Sequence, residues 1–489
     1  MTDYEDFIST SGRDKKVQEV RKKINDLGIQ YIYYQFVSVT GRIMGKGAPA
    51  DHWERFAEKG FQLVYGSTAN LFIDRHDQYI GYGPEAWELV GIPEPETFVQ
   101  LPWDKRVARV FCTLFRGREH PEDPGAFLTS DCRGNLRRLH KKFQDEHGLQ
   151  LRAGTEPEMM WLKRDSEGNP DGGYSKPFCY HIDQFESLRP VYMQVIEYAR
   201  QMGLDIIQGD HEDAPGQLEL NFTFDDVLRN ADRLTTYRQI CAQVARENNL
   251  IACFMSKPFM SVSASACHTN ISLWRGGETE VKKLGNNELP GMEEPYTYAK
   301  GGENTFMPEG DNPRDPGEIG KYALGGILKH QRGLTILGCS NVNSYRRLLD
   351  TGFWAPVFAN WGYQNRTASI RNSAPGRFEY KTVDSAHNPY LLGAGLLQTM
   401  SEGIANKIDP GEPEQRNIYD VMEEVEEKYT KIPISLGEAL EALGQDKTVK
   451  TALPGEMYKV FEHYKRDEWE TFLATVTQWD LENYIDCLP

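Results

Sequence analysis

The chain lacks any pair of cysteines spaced for a zinc site or a redox centre. Its eight cysteines stand far apart, at 112, 132, 179, 241, 253, 267, 339 and 487, so the expectation is reduced thiols in a cytoplasmic protein. It lacks any apolar run near the roughly 18 residues that a membrane span needs. The opening "MTDYEDFISTSGRDKK" has no apolar core, which argues against a signal peptide. It lacks basic excess: 55 Lys and Arg against 72 Asp and Glu leave a net charge of −17. That argues against nucleic acid or an anionic membrane as partner. It has no GxxxxGK[ST] stretch, so any nucleotide would be held without a P-loop. No internal repeat or low-complexity tract is seen.

What is present is a long, folded chain. With 489 residues, 39% of them hydrophobic and 11% aromatic, it exceeds one ordinary core and predicts at least two domains. Residues 14–27 read as a surface helix, and "IQYIYYQFVSVTGRIMGKGAP" reads as a hairpin turning at Thr40-Gly41. "FQLVYGST" and "LPWDKRVARVFCTLF" are further strand candidates. The stretch 116–135 is rich in Gly, Pro and charge and reads as a boundary. Strands and helices alternate from there to about residue 408, and 409–489 is helical in pattern. The class is α+β, with a strand-rich unit over 1–125 and a larger one over 126–489.

Several strands carry acids on one face. Glu156 and Glu158 in "AGTEPEMMWL" are two apart, so they point the same way. "DHEDAPGQLELNF" supplies Glu212 and Glu219. In "SASACHTNISLW", His268, Asn270 and Ser272 share one face, while Cys267, Thr269, Ile271 and Leu273 share the other. In "GRFEYKTVD", Arg377, Glu379 and Lys381 alternate with Phe378 and Tyr380. Each pattern alone fits a half-solvated strand. Together they place five glutamates and a histidine among apolar residues, where unpaired carboxylates are costly. Hard oxygen ligands with one imidazole suit Mg²⁺ or Mn²⁺, two or three ions in all. Arg347, Arg366, Arg371 and Arg377 lie close by in sequence, and metals beside arginines suit phosphoryl transfer.

These segments resemble the glutamine synthetase family. "GTEPEMMW" is similar to its G-x-E-x-E strand, "HEDAPGQLE" to HE-x-A-x-GQ-x-E, "CFMSKPF" to FMPKP and "ACHTNISLW" to HxHxSL. "NVNSYRRL", "NRTASIR", "RFEYK" and "NPYL" follow in family order. The resemblance implies an N-terminal β-grasp domain and a catalytic domain with a curved antiparallel sheet. It implies hexameric rings or dodecamers whose active sites lie between subunits. It also implies ATP-driven phosphorylation of the glutamate γ-carboxylate, followed by displacement of phosphate by an amine. By matching position, Glu158, Glu212 and Glu219 would hold one ion, and Glu156, His268 and Glu379 another. Arg347, Glu158 and Ala264 would meet glutamate. Lys257, Asn270, Ser272 and Arg371 would meet the nucleotide, and Arg366, Arg371, Arg377 and Lys381 the transferred phosphoryl group.

The departures bear on the amine. The family has a glutamate just before the Ala-Pro that ends its flap, and an aspartate in an N-terminal D-G-S-S segment. Both handle ammonium. Here those positions read Trp354, in "TGFWAP", and Tyr65, in "VYGSTAN". Ammonium in a dry pocket needs anions, whereas aromatics suit a flat, neutral ring. Tyr65, Phe353, Trp354 and Tyr180 are therefore expected to wall an arylamine pocket. The resulting expectation is a γ-glutamyl ligase for an aniline-like amine, opening arylamine breakdown. The rivals are ammonia, alkylamines, ethanolamine or polyamines as nucleophile, and a non-catalytic relative. Lys381 replaces an arginine, Asn270 a histidine, and "SASA" (263–266) the glycines of a substrate loop. Tyr419 sits where some bacterial members are adenylylated, but its surrounding motif is loose.

Overall fold

The computed structural model describes residues 1–70, 72–282, 296–349 and 354–486. Phe353, one of the expected pocket residues, lies outside them. In the N-terminal unit, β1 (Tyr31–Val37), β2 (Ile43–Pro49), β3 (Phe61–Leu63), β4 (Leu89–Pro93), β5 (Val99–Leu101) and β6 (Asp104–Arg116) form one mixed sheet. β1 and β2 are the expected hairpin, and Gly41 supplies the left-handed residue of its turn (φ 81°). Ile32, Tyr34 and Phe36 face inward from β1, while Tyr31 and Tyr33 stay partly exposed. Helix Arg13–Leu27 lays Val17, Val20 and Ile24 on this core.

The strand expected to run through "FQLVYGST" stops at Leu63. Residues Tyr65–Ala69 form a buried 3₁₀ turn instead. The hydroxyls of Ser67 and Thr68 donate to the carbonyls of Val64 and Tyr65, at 2.8 and 3.1 Å. Such local bonds offer the backbone an alternative to a sheet ladder. The helical pattern of 409–489 ends in two helices, Glu456–Ala474 and Gln478–Tyr484, the second opened by a capping box of Thr477 and Asp480. Among the described residues no helix is long and apolar enough to cross a membrane.

The second unit is built on an eleven-stranded, curled sheet. The strands of this unit, the sheet's eleven and two more, are β7 (Leu149–Arg164), β8 (Pro170–Gly173), β9 (Ile206–His211), β10 (Gln217–Phe222), β11 (Asp225–Asp226), β12 (Ile251–Cys253), β13 (Cys267–Arg275), β14 (Glu278–Lys282), β15 (Tyr296–Lys300), β16 (Glu303–Asn304), β17 (Trp361–Tyr363), β18 (Ile370–Ala374) and β19 (Arg377–Tyr380). β14 and β15 form a separate ribbon, and the sheet path runs β17-β18-β19-β13-β7-β10-β9. The rear face carries Met159, Trp161, Leu218, Leu220, Cys267, Ile271, Leu273, Phe378 and Tyr380, all fully buried. Helices Cys132–His147, Val227–Glu247 and Pro389–Asn406 belong to the same core. Helices Gly317–Lys329 and Pro389–Asn406 cross at Gly326 and Gly403. A Cβ on Gly403 would stand 2.2 Å from the Tyr322 carbonyl oxygen, so no side chain fits there.

Two polar clusters tie the units together. Glu94, fully enclosed, meets Arg133 at 2.5 Å and also Arg137, and Arg133 reaches Asp232 at 2.8 Å. Tyr65 donates its hydroxyl to Glu456 Oε2 at 2.6 Å, and Tyr82 and Arg116 bond the other carboxylate oxygen at 3.0 and 2.7 Å.

Candidate active site

Strand register assembles the front face of the curled sheet. From its edge inward, Asp210 stands opposite Glu219, and Glu219 opposite Glu158. On the other side of β7, Glu156 stands opposite His268. Beyond β13, Asn270 stands opposite Glu379, and Glu379 opposite Arg371. Because alternate residues share a face, the front carries acids at one edge, an imidazole in the middle and Arg371, Arg377 and Lys381 at the other. This face lines a cleft of about 1030 Å³.

Two groups of ligand-type atoms lie within 4.8 Å of one another: Glu156 with His268 and Glu379, and Asp210 with Glu212 and Glu219. His268 Nδ1 is 3.6 Å from Glu379 Oε1 and 3.9 Å from both Glu156 Oε2 and Glu158 Oε1. Glu158 therefore borders both groups, and its Oε2 accepts from the Ala266 amide at 2.8 Å and from Gln217 Nε2 at 3.3 Å. Among the described residues, the buried atoms His268 Nε2 and Asp210 Oδ1 have no hydrogen-bond partner.

The electrostatics follow from crowding like charges in a dry place. Burial, and then the charges of Glu158, Asp210 and Asp213, push Glu212 up to about 8. Burial raises Glu156, Glu158, Glu219 and Asp210 as well. Burial drives His268 well below its usual range, and the cations of Lys381 and the arginines add to that. A neutral imidazole beside several hard oxygens, with orphaned donor atoms, fits Mg²⁺ or Mn²⁺. Divalent cations would restore all these carboxylates to their ionised form.

A family model described as "Glutamine synthetase, catalytic domain" matches residues 129–292 and 296–484. The chain belongs to the glutamine synthetase family. It is similar to the glutamine synthetase of Pyrococcus furiosus, 33% identical over 482 residues that cover 94% of this chain and 97% of the relative. The glutamine synthetase of Staphylococcus epidermidis is 30% identical over 484 residues, covering 96% of this chain and 97% of the relative. Two solved structures resemble it at 26% identity and cover 95% of this chain. They are a GmaS/ADP complex, at a TM-score of 0.79 over 99% of its chain, and GmaS without ligand, at 0.80 over 98%. As a glutamine synthetase family member, the chain is a glutamate–ammonia/amine ligase.

In this glutamine synthetase relative, the cationic side of the cleft is partly pre-assembled. Arg371 donates to Glu379 Oε2 at 2.7 Å and to Gln364 Oε1 at 2.9 Å. Lys381 Nζ donates to the Arg366 carbonyl at 2.6 Å. Burial draws that ammonium down to about 8, with Glu379 opposing and three arginines assisting the fall. Arg347 is buried, donates through Nη2 to the Lys381 carbonyl at 3.2 Å and leaves Nη1 without a partner in the cleft lining. Arg366 and Arg377 are exposed and line the cleft. Asn270 Nδ2 donates to Glu156 Oε1 at 2.7 Å, and Ser272 Oγ accepts from Trp274 Nε1 at 2.8 Å. Ala264 also lines the cleft.

The cleft brings together Glu156, Glu158, Glu212, Glu219, His268, Glu379, Asn270, Ser272, Ala264, Arg347, Arg366, Arg371, Arg377, Lys381, Tyr180 and Trp354. It does not bring in Tyr65 or Lys257. Tyr65 is 3% exposed, and its hydroxyl is committed to Glu456. The N-terminal aromatic expected on the amine wall is thus turned into its own subunit, because a buried phenol needs a strong acceptor and finds one there. Lys257 is also buried, with Nζ donating to the Val262 carbonyl at 2.5 Å. Asp210 and Trp274 are among the lining residues that the sequence reading did not single out. Asp210 sits two before Glu212, and Trp274 two beyond Ser272. In both cases the period of two that exposed their neighbours also marked them. Trp274 stacks on Phe224 at 6.5 Å and lies under the Arg152 guanidinium at 4.2 Å. Tyr419, in a 3₁₀ turn, donates its hydroxyl to the Ala355 carbonyl at 2.7 Å, directly behind Trp354.

Proposed function

We propose that this ligase joins the γ-carboxylate of glutamate to an aromatic amine of the aniline type, with ATP as phosphoryl donor. In this reading ATP phosphorylates the γ-carboxylate, the amine nitrogen attacks the acyl carbon, phosphate leaves, and the amine gives up a proton. When bound, Mg²⁺ or Mn²⁺ would supply charge neutralisation for the phosphates. Glu156, His268 and Glu379 would hold one ion and Glu212 and Glu219 another, with Glu158 between them. Arg347 offers its unpartnered Nη1 to the glutamate carboxylate. Arg366, Arg371, Arg377 and Lys381 face the phosphoryl group, and Asn270 and Ser272 the nucleotide. Site-sharing rings of subunits belong to the same proposal, supported by the exposed apolar run Tyr174, Phe178, Tyr180 and Ile182 close to the cleft.

The observation that carries the aromatic amine is the pair of aromatics in the cleft lining. Trp354 and Tyr180 are 53% and 63% exposed and both have positive φ, 62° and 57°. Bulky side chains seldom adopt this conformation, and such strain concentrates at functional positions. Two exposed rings can hold a flat apolar nucleophile by stacking and burial. A second reading, ammonia as nucleophile, is favoured by the acids beside Tyr180 (Asp210, Glu212 and Asp213), which could pair with a cation, and by the relatives' names.

An amine panel separates the two. Phosphate release from ATP and glutamate is measured with aniline, methylamine, ethanolamine and ammonium. Aniline is expected to give the highest kcat/KM. Trp354→Glu is expected to lower kcat/KM for aniline by about ten-fold, the equivalent of roughly 1.4 kcal/mol of ring burial and stacking, and to raise it for ammonium. Turnover of ammonium alone by the wild type would sink the aromatic reading.

A further inference from the structure

We infer that Asp210 is a metal ligand in this chain, so that the ion at the acidic edge of the sheet is held by Asp210, Glu212 and Glu219. This inference rests on the family's use of divalent ions and is independent of which amine is used. It changes the expected set, which drew Glu158 in place of Asp210.

The argument begins with register. Asp210 and Glu219 stand directly opposite each other across the antiparallel β9–β10 pair. Like charges so placed destabilise a sheet, because the two Cβ atoms lie about 5 Å apart. Among the described residues neither carboxylate makes an ion pair with a Lys or Arg. Glu219 accepts one bond, from Asn221 Nδ2 at 2.8 Å. Asp210 Oδ1 is buried and accepts none. Glu212 brings a third carboxylate within 4.8 Å of both. Three acids converge, one with an orphaned buried oxygen, and among the described residues none of the three is ion-paired to a Lys or Arg, Arg366 acting on Glu212 only at longer range. A small divalent cation with oxygen preference resolves all three at once.

Glu158 is differently placed. Its Oε2 is already occupied by the Ala266 amide and Gln217, and its Oε1 leans toward His268. That leaves it free to bridge the two groups, while Asp210 completes the outer one. Asp213, one residue beyond Glu212, is a natural control, since its carboxylate is taken by the Ser263 hydroxyl at 2.6 Å.

The test is a Mn²⁺ titration of metal-stripped protein without nucleotide or amine. Free Mn²⁺ is followed by electron paramagnetic resonance, and heat by calorimetry. Asp210→Asn is expected to weaken one class of bound Mn²⁺ by about ten- to a hundred-fold, in the range seen when metal-site support is lost, and to leave the other class unchanged. In EDTA the same variant should melt higher than wild type, because one of three converging carboxylates is gone. Asp213→Asn removes a charge felt by Glu212 but no proposed ligand, so it should change Mn²⁺ affinity by less than about three-fold and leave the number of bound ions unchanged. Asp210→Ser carries the same expectation should the asparagine variant not fold. Unchanged Mn²⁺ number and affinity in the Asp210 variants would overturn the inference. A wild type that binds no Mn²⁺ would overturn the metal reading and this with it, whereas failure of the aniline assay alone would leave the titration result standing.

Discussion

Replacing Tyr65 by Phe removes one hydroxyl and keeps the ring. That ring is buried against Tyr82 at 4.3 Å, so packing is retained and only the hydrogen bonds change. Two bonds are lost, one of 3.2 Å with Ser130 Oγ and one of 2.6 Å to Glu456 Oε2; the second has an ionised acceptor, for which about 1.5–3 kcal/mol is typical. Glu456 keeps Tyr82 and Arg116 on its other oxygen, which points to the lower end, about 1.5 kcal/mol. A chain of this size does not unfold as one unit, so the effect should be read locally. Amides in the first turns of helix Glu456–Ala474 and in Tyr65–Ala69 should exchange about ten-fold faster in deuterium, since 1.4 kcal/mol is a factor of ten. Burial works to raise Glu456, but the bonds from Arg116 and Tyr65 outweigh it and hold it below its ordinary 4.5. A depressed carboxyl stabilises above its unfolded value and loses that contribution as pH falls through the folded one. The Tyr65→Phe difference should therefore be full at pH 7 and fade below pH 4.5. Amine preference should not move, because the side chain points into its own subunit. A change of more than about three-fold in the aniline-to-ammonium ratio of kcat/KM, with exchange unaltered, would refute this placement.

Other perturbations have equally definite outcomes. Glu94→Gln leaves buried Arg133 and partly exposed Arg137 without their shared carboxylate, and breaking a buried pair costs about 3–5 kcal/mol; Asp232 still serves Arg133, so the lower figure is expected. An unchanged urea midpoint for the N-terminal unit would count against it. Metal and pH should act together. The raised carboxylates Glu156, Glu158, Asp210, Glu212 and Glu219 stabilise the metal-free fold below their ordinary values, and that contribution is lost as pH rises, through about 7 for Glu158 and about 8 for Glu212. His268 and Lys381, both lowered by burial, run the other way, two groups against five. The melting gain on adding Mg²⁺ should thus grow from pH 5 to pH 8, reaching about 2.7 kcal/mol per ion at a hundred times Kd. A gain that shrinks with pH would contradict the site's electrostatics.

Much of the front face was legible because a strand has a period of two. The alternations around Glu156, His268 and Glu379 needed only the assumption that apolar neighbours point rearward, and Cys267, Ile271, Phe378 and Tyr380 do so. What could not be read was pairing between strands. Asp210 becomes conspicuous only once β9 is laid against β10 with Glu219 opposite. Tyr65 is a related case: its acceptor lies 391 residues away, and nothing local distinguishes a phenol facing a cleft from one facing a distant helix. Turn chemistry was underweighted at 64–69, where two hydroxyls curl the backbone away from a strand. The left-handed backbone of Trp354 is set by its loop and leaves no mark in composition.

The row running from Asp210 to Arg371 works like the teeth of a comb. Neighbouring strands lie about 4.8 Å apart, a spacing fixed by backbone hydrogen bonds and indifferent to side-chain identity. Intervals between groups on adjacent teeth therefore come in fixed steps. A slip of one residue in β10 would send Glu219 to the rear face outright, with no intermediate position available. The lips of the cleft obey no such rule, since Trp354 and Tyr180 stand outside every strand. A descendant of this chain can try many nucleophiles by altering its lips, while the ruler that spaces its charges is inherited whole or not at all.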